Sequence, residues 1–426
     1  LVAGVDDKGP AKPAGIEPGD VVVRFDGKDI KEMKDLPRAV ADSPVGKAVD
    51  VVIIRKGKEE TRKVTLGRLD DGDKPVAASA KTTGPAEAEK TPTQKALEDA
   101  VAAIEGAHRS IAVQSGLGAV TGAIVGFLKT GDHMLLTDNA YGPARRFANT
   151  TLKNFGVETT YFDPMIGAGI EKLMRPNTKV VYLEAPGSQT FEVQDVDAIA
   201  AVAKKGGATV MIDNTWATPL YFKPFDHGCD ISIHAGTKYI VGHSDAMMGI
   251  ISCATRPLFE VAKTACQSFG FHAAPDDCYL ALRGLRTMGV RLRHHEKSGI
   301  EVAHWLKTRP EVDKVLHPAL PDCPGHDNWK KQFKGASGLF SFTLRDGYSK
   351  NALAAMLDGM DIFGMGASWG GYESLMIPAH PDQYRTAVPW PQGKHLLRVH
   401  IGLEDVEDLK TDLAEGFERL NRAHNA

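Results

Sequence analysis

The stretch TVMIDNTWATPLYFKPFDHGCDISIHAGTK, residues 209–238, decides how the chain is read. It holds two short apolar runs, TVMIDN and ISIHA, each leading into a residue that can carry chemistry. Both runs read as strands buried on two faces, because they lack polar alternation and are too short for helices. Asp213 ends the first, where open parallel sheets place their sites. Taken alone, an aspartate there more often caps the segment that follows. Lys238 stands just beyond the second strand, in HAGTKYIVGHSD. Three readings of it stay open at this point: a surface lysine on a turn, a neighbour of a metal held by His234, His243 and Asp245, or a covalent anchor for a cofactor.

Working outward, further runs of the same kind alternate with helix-like runs: SIAVQ, HMLLTD, ETTYFD and KVVYLEA upstream. The alternation predicts an α/β domain with a largely parallel sheet. In that setting a strand-end aspartate followed by a strand-end lysine suggests pyridoxal 5'-phosphate. A lysine amine forms a Schiff base with its aldehyde, and a carboxylate keeps its ring nitrogen protonated. Such a cofactor needs a phosphate cup, and QSGLGAVTGAIVGFL (114–128) predicts one where a strand turns into a helix near Gly116 and Leu117. A glycine-rich turn is also explained by close packing alone. DNAYGPARR (138–146) offers Tyr141 as a side chain to stack on the ring, although a core tyrosine is the commoner fate. From Pro275 the sequence is helix-rich, with strands at GLFSFTL (338–344) and HLLRVHIG (395–402), which predicts a smaller C-terminal α+β domain.

The first seventy residues are of another kind. DVVVRFDG (20–27) and VDVVIIRKGKEETRKVTL (49–66) read as strands, and LPRAVADSP (36–44) between them as a helix ending at a proline. Residues 69–93, rich in Pro, Ala, Thr and Glu and without apolar periodicity, read as a flexible linker. Leu97, Val101 and Ile104 then share one helical face, and Gly106 closes that helix. The expected division is a strand-rich partial domain over 1–68, the linker over 69–93, a cofactor-binding large domain over 94–285 and a small domain over 286–426.

Across 426 residues the net charge is −3, which argues against a nucleic-acid-binding surface. No apolar run is long enough for a membrane span, and no signal peptide is evident. The five cysteines (Cys229, Cys253, Cys266, Cys278, Cys323) are unpaired by spacing, which suits reduced thiols in a cytoplasm. The chain opens on Leu1, as expected of a fragment, a processed product or a start codon read literally.

Two resemblances follow from particular motifs. AKPAGIEPGDVVVRFDGKDI (11–30) resembles the PDZ domain of HtrA/DegP-type serine proteases, a module that captures a peptide C-terminus at a sheet edge. The carboxylate-binding loop and first strand of that module would lie before Leu1. Further on, the carrying motifs are APGSQTFEVQDV, IDNTWATPLYFKPFDHGCDISIHAGTKYIVGHSDAMMG, LRGLRTMGVRLRHHEKSG, SWGGYESL and LLRVHIGLEDVEDL. Through them residues 92–426 resemble the cystathionine β-lyase group of the Cys/Met-metabolism pyridoxal-phosphate enzymes, which have the aspartate-aminotransferase (type I) fold.

The second resemblance implies that Lys238 is the Schiff-base lysine and proton shuttle, that Asp213 pairs with the pyridine nitrogen, and that Tyr141 stacks on the ring and acts in deprotonation. It implies phosphate binding by the amides of Gly116 and Leu117 and by the Thr237 hydroxyl. Arg398 would clamp the substrate carboxylate, with Ser368 and Trp369 lining that end. The implied reaction is α,β-elimination of an amino-acid thioether, L-cystathionine, to homocysteine, pyruvate and ammonia in methionine biosynthesis, carried out by a homotetramer. A γ-lyase or γ-synthase is the alternative, and a catalytically silent scaffold another. Where family members carry a Tyr-Gly-Arg segment ahead of TPT, this sequence reads TGPAEAEKTPT. Ala235 stands in place of a phosphate-binding serine, and Ala367 in place of a tyrosine.

Overall fold

The computed structural model describes residues 2, 5, 9–30, 35–41, 43, 44, 46–66 and 91–425. The linker expected over 69–93 therefore lies, up to residue 90, outside the described residues. Two compact units result, Leu1–Thr83 and Gly84–Ala426.

In the first unit, β1 (Val21–Phe25), β2 (Lys28–Asp29), β3 (Ala48–Arg55) and β4 (Lys58–Thr65) form an antiparallel sheet of order β2-β1-β3-β4. Both tight hairpins turn on a residue pair with positive φ, Asp26–Gly27 and Lys56–Gly57. Paired positive φ is what a two-residue turn matched to strand twist requires. Phe25, Val49, Val51, Ile53 and Val64 are buried in the core, packed over by the short helix Asp35–Ala41. Buried Asp20 is held by the Arg55 guanidinium at 2.7 Å.

The second unit is built on seven strands: β5 (Arg109–Val113), β6 (His133–Thr137), β7 (Glu158–Phe162), β8 (Thr178–Glu184), β9 (Thr209–Asp213), β10 (Ile231–His234) and β11 (Gly249–Cys253). Their order is β5-β11-β10-β9-β8-β6-β7. Every neighbouring pair is parallel except those made by β11, which runs against both β10 and β5. Six of these strands match the expected runs to within a residue or two. The seventh, GIISC, was not foreseen; like β6 and β10 it is buried at every position.

Both faces of the sheet are covered. One packs on the helices Gly116–Phe127 and Arg256–Ser268, and the other on Val196–Lys205. The doubly covered sheet explains why its strands read as continuous apolar runs.

A second sheet follows, antiparallel in the order β12-β13-β15-β14, from β12 (Val312–Leu316), β13 (Leu339–Leu344), β14 (Leu375–Ala379) and β15 (Leu396–His400). Helices Met288–Lys307, Lys350–Leu357 and Val406–His424 complete its core through Leu306, Met356, Leu413 and Phe417. Among the described residues no helix is long and apolar enough to cross a membrane.

Three histidines are sealed into this half of the unit. Burial pushes His295 down to about 4 and His317 to about 3, and His400 well below its usual value. A histidine kept neutral when folded but free to ionise when unfolded stabilises fully above its ordinary value near 6.5. That stability is lost as pH falls toward the folded value. At pH 5 His295 and His317 should each have withdrawn about 2 kcal/mol relative to pH 7.5, with His400 acting in the same direction. Urea midpoints measured at the two pH values should show this loss, and equal midpoints would contradict it.

Candidate active site

Asp213 and Glu184 end adjacent parallel strands in register, so the two carboxyls lie side by side at the C-terminal edge of the sheet. Thr215 holds Asp213 from both its backbone N–H (3.0 Å) and its hydroxyl (2.5 Å). The same hydroxyl accepts the N–H of Ala235 at 2.8 Å, tying the lysine-bearing segment to the aspartate. Glu184 accepts from the Ser188 hydroxyl and from the backbone N–H of Tyr141 at 2.7 Å. Burial and the charge of Asp213 raise the Glu184 carboxyl well above its normal range. Burial raises Asp213 too, but Thr215, His234 and Lys238 oppose that rise. The His234 and Lys238 charges favour an ionised Asp213, and the charge of Asp213 in turn favours a protonated Glu184.

Lys238 follows β10. Its amine donates to the Ser368 hydroxyl at 2.5 Å and lies 5.4 Å from the Trp369 ring. Burial and then the Arg398 cation lower its pKa to about 8, against the opposing pull of Asp213. An amine so tuned is a nucleophile and base near neutrality. Arg398 extends from β15, donating to the carbonyl oxygens of Ala367 (2.9 Å) and Ser368 (3.2 Å), and burial lowers its pKa to about 10. Tyr141 is 43% exposed at the start of the helix Gly142–Phe147. Burial of its hydroxyl, with Asp213 and Glu184 nearby, raises its pKa.

The phosphate end is shaped by backbone. Ser115 caps the helix Gly116–Phe127, its hydroxyl accepting the N–H of Gly118 at 3.0 Å. The first N–H groups, those of Gly116 and Leu117, have no partner within a helix. A Cβ at Gly116 would lie 2.5 Å from that of Ala235, and one at Gly249 would lie 2.1 Å from the Ser115 carbonyl oxygen. Three backbone segments thus meet behind one helix N-terminus. Thr237 is half-buried there, its hydroxyl accepting the N–H of Met248 at 2.9 Å and lying 3.2 Å from the Met248 carbonyl oxygen.

All nine residues singled out from the sequence are placed in this one region. Thr215 and Glu184 were missed. Glu184 could have been found, because KVVYLEA ends in a carboxylate on the strand beside Asp213. The histidines offered for a metal go elsewhere. His234 pairs with buried Glu105 at 2.7 Å, and His243 turns back to the Val241 carbonyl at 2.7 Å. Among the described residues no group of three or more His, Cys, Asp or Glu side chains could hold a metal ion.

A strand-end lysine with a lowered pKa, a held aspartate on the neighbouring strand and a helix N-terminus cradled by glycine form the donor set of a pyridoxal-phosphate enzyme, and they fit that cofactor. The chain belongs to the Cys/Met metabolism PLP-dependent enzyme family, which matches residues 87–418; a PDZ domain matches residues 1–66. It is 54% identical over 330 residues to a putative cystathionine beta-lyase of Rhizobium johnstonii, covering 77% of this chain and 83% of that one. It is 46% identical over 337 residues to a cystathionine beta-lyase of Escherichia coli, covering 78% and 85%. A crystal structure of cystathionine gamma synthase from Xanthomonas oryzae pv. oryzae superposes with a TM-score of 0.73 at 32% identity, over 78% of this chain and 87% of that one.

Proposed function

We propose that this chain is a cystathionine β-lyase, cleaving L-cystathionine by α,β-elimination to homocysteine, pyruvate and ammonia. The observation that carries the reading is the Lys238 amine, brought to about 8 and held on the hydroxyl of Ser368, the residue whose carbonyl the Arg398 guanidinium holds. Pyridoxal phosphate, when bound, supplies the electron sink that lets an amino acid lose its α-proton.

The chain's own groups do the rest. Gly116 and Leu117 offer N–H groups to a phosphate, and Thr237 stands beside them. Asp213, fixed by Thr215, presents its carboxylate to a pyridine nitrogen, with Tyr141 as the stacking side chain. Arg398 receives the substrate α-carboxylate, as a planar guanidinium does best, and Trp369 lines that end of the pocket. Lys238 takes the α-proton and returns a proton to the departing sulfur, so that a thiol leaves the β-carbon. Water then completes the release of pyruvate and ammonia.

The apolar side chains exposed beside these segments, Leu117, Tyr141, Met247, Met365 and Tyr372, support a homo-oligomer in which a second copy covers this rim, and we extend the reading to a homotetramer. Five buried free cysteines are compatible with a cytoplasmic setting.

Keto-acid analysis tests the reaction. Pyruvate from L-cystathionine is expected. 2-Oxobutyrate in its place would make the chain a γ-lyase, and no keto acid with cofactor supplied would overturn the lyase reading.

A further inference from the structure

We propose that His400 is a positioning residue of this site, holding the Gly370–Gly371 turn so that the Ser368–Trp369 segment is pressed onto Lys238. Arg398 and His400 are two residues apart on β15 and so point to the same face of the sheet. Arg398 secures the beginning of the 366–371 segment through the carbonyls of Ala367 and Ser368. His400 secures its end: its Nε2 lies 3.2 Å from the Gly370 N–H nitrogen and 3.2 Å from the Gly371 carbonyl oxygen. Between these two ties stand Ser368, which receives the lysine amine, and Trp369.

The turn itself rests on the lysine. Gly370 has φ +83°, and a Cβ there would lie 2.9 Å from the Lys238 Cβ and 3.0 Å from its Cα and carbonyl carbon. Tyr239, the next residue, packs its ring 6.0 Å from His400, 5.3 Å from His295 and 5.5 Å from Trp369. His400 is thus enclosed by the two segments it holds together and has 1% of its surface exposed. A neutral imidazole can accept the Gly370 N–H or donate to the Gly371 carbonyl, whereas an imidazolium could do only the latter. The enclosure keeps the ring neutral.

For its activity readout this inference rests on the lyase reading; its main readout does not. Competitive acetylation of the cofactor-free full-length chain with acetic anhydride, followed at Lys238 by peptide mass spectrometry across pH 6–11, measures the titration midpoint of that amine. In the wild type it should fall near 8. In His400→Phe the turn lifts, water reaches the amine, and the midpoint should rise by a unit or more, with about tenfold lower reactivity below pH 8. His400→Gln, which keeps a donor and an acceptor, should restore the wild-type midpoint. With cofactor bound, His400→Phe should lower kcat at least tenfold while KM for cystathionine moves less than threefold. If His400→Phe does not fold, His400→Ser, too short to reach the turn, takes its place.

An unchanged midpoint in a folded His400→Phe or His400→Ser chain would overturn the inference and leave His400 as packing alone. A wild type that releases no keto acid would defeat the lyase reading, while the acetylation midpoints would still decide the role of His400.

Discussion

Lys238→Ala is expected to release pyruvate from cystathionine roughly 1,000-fold more slowly than the wild type, or slower. Proton transfer by a positioned base contributes on the order of 10²–10⁴ in rate, and losing the covalent anchor adds to that loss. The fold should survive, because the lysine amine makes one hydrogen bond, to Ser368, and the side chain is only half-buried. A coupled pyruvate assay beside a thermal melt separates the two effects. An activity within tenfold of wild type, at an unchanged melting temperature, would move the chemistry to another residue.

Asp138→Ala is expected to cost about 3–5 kcal/mol of stability, through a site that sequence reading did not single out. Asp138 is fully buried three residues before Tyr141. It accepts the backbone N–H groups of Thr386 (3.0 Å), Ala387 (3.0 Å) and Val388 (2.8 Å), the Arg145 guanidinium at 3.0 Å and that of Arg385 at 3.4 Å. Burial pushes its carboxyl upward, yet these donors and cations overcome that push and hold it below the usual range. Removing the carboxylate leaves three backbone N–H groups without that acceptor and weakens the counter-charge of two enclosed arginines, which is where most of the cost lies. Because residues 386–388 lie in the connection from β14 to the Arg398-bearing β15, the loss should also lower kcat/KM. Urea unfolding of wild type, Asp138→Ala and the near-isosteric Asp138→Asn would measure it. A change under 1 kcal/mol for alanine would show that the cluster carries little energy.

The parts of this molecule legible in its sequence are those set by short-range pattern. Six strands of the large sheet announced themselves as apolar runs bounded by turns, and Asp213 and Lys238 could be placed because strand ends in such sheets have a fixed direction. β11, β12 and β14 escaped. β11 runs on from the apolar Ala246–Met248 with only Gly249 to mark its start, β12 (VDKVL) has two charges in five residues, and β14 (LMIPA) contains a proline. The residues that orient the site were harder to see for a different reason. Thr215 acts through Ala235, His234 answers to Glu105 at a separation of 129 residues, and His400 holds a turn 30 residues away. Such partnerships exist only after folding, and no local spacing encodes them.

The meeting of Gly116, Ala235, Ser115 and Gly249 also bears on how this catalyst could diverge. A polar side chain at the mouth of the pocket can be exchanged and tested for a new substrate one position at a time. The floor cannot, because a single added carbon at Gly116 or Gly249 must displace another stretch of main chain. Directed evolution of this scaffold should therefore find its variation on the rim, with the floor inherited as a block.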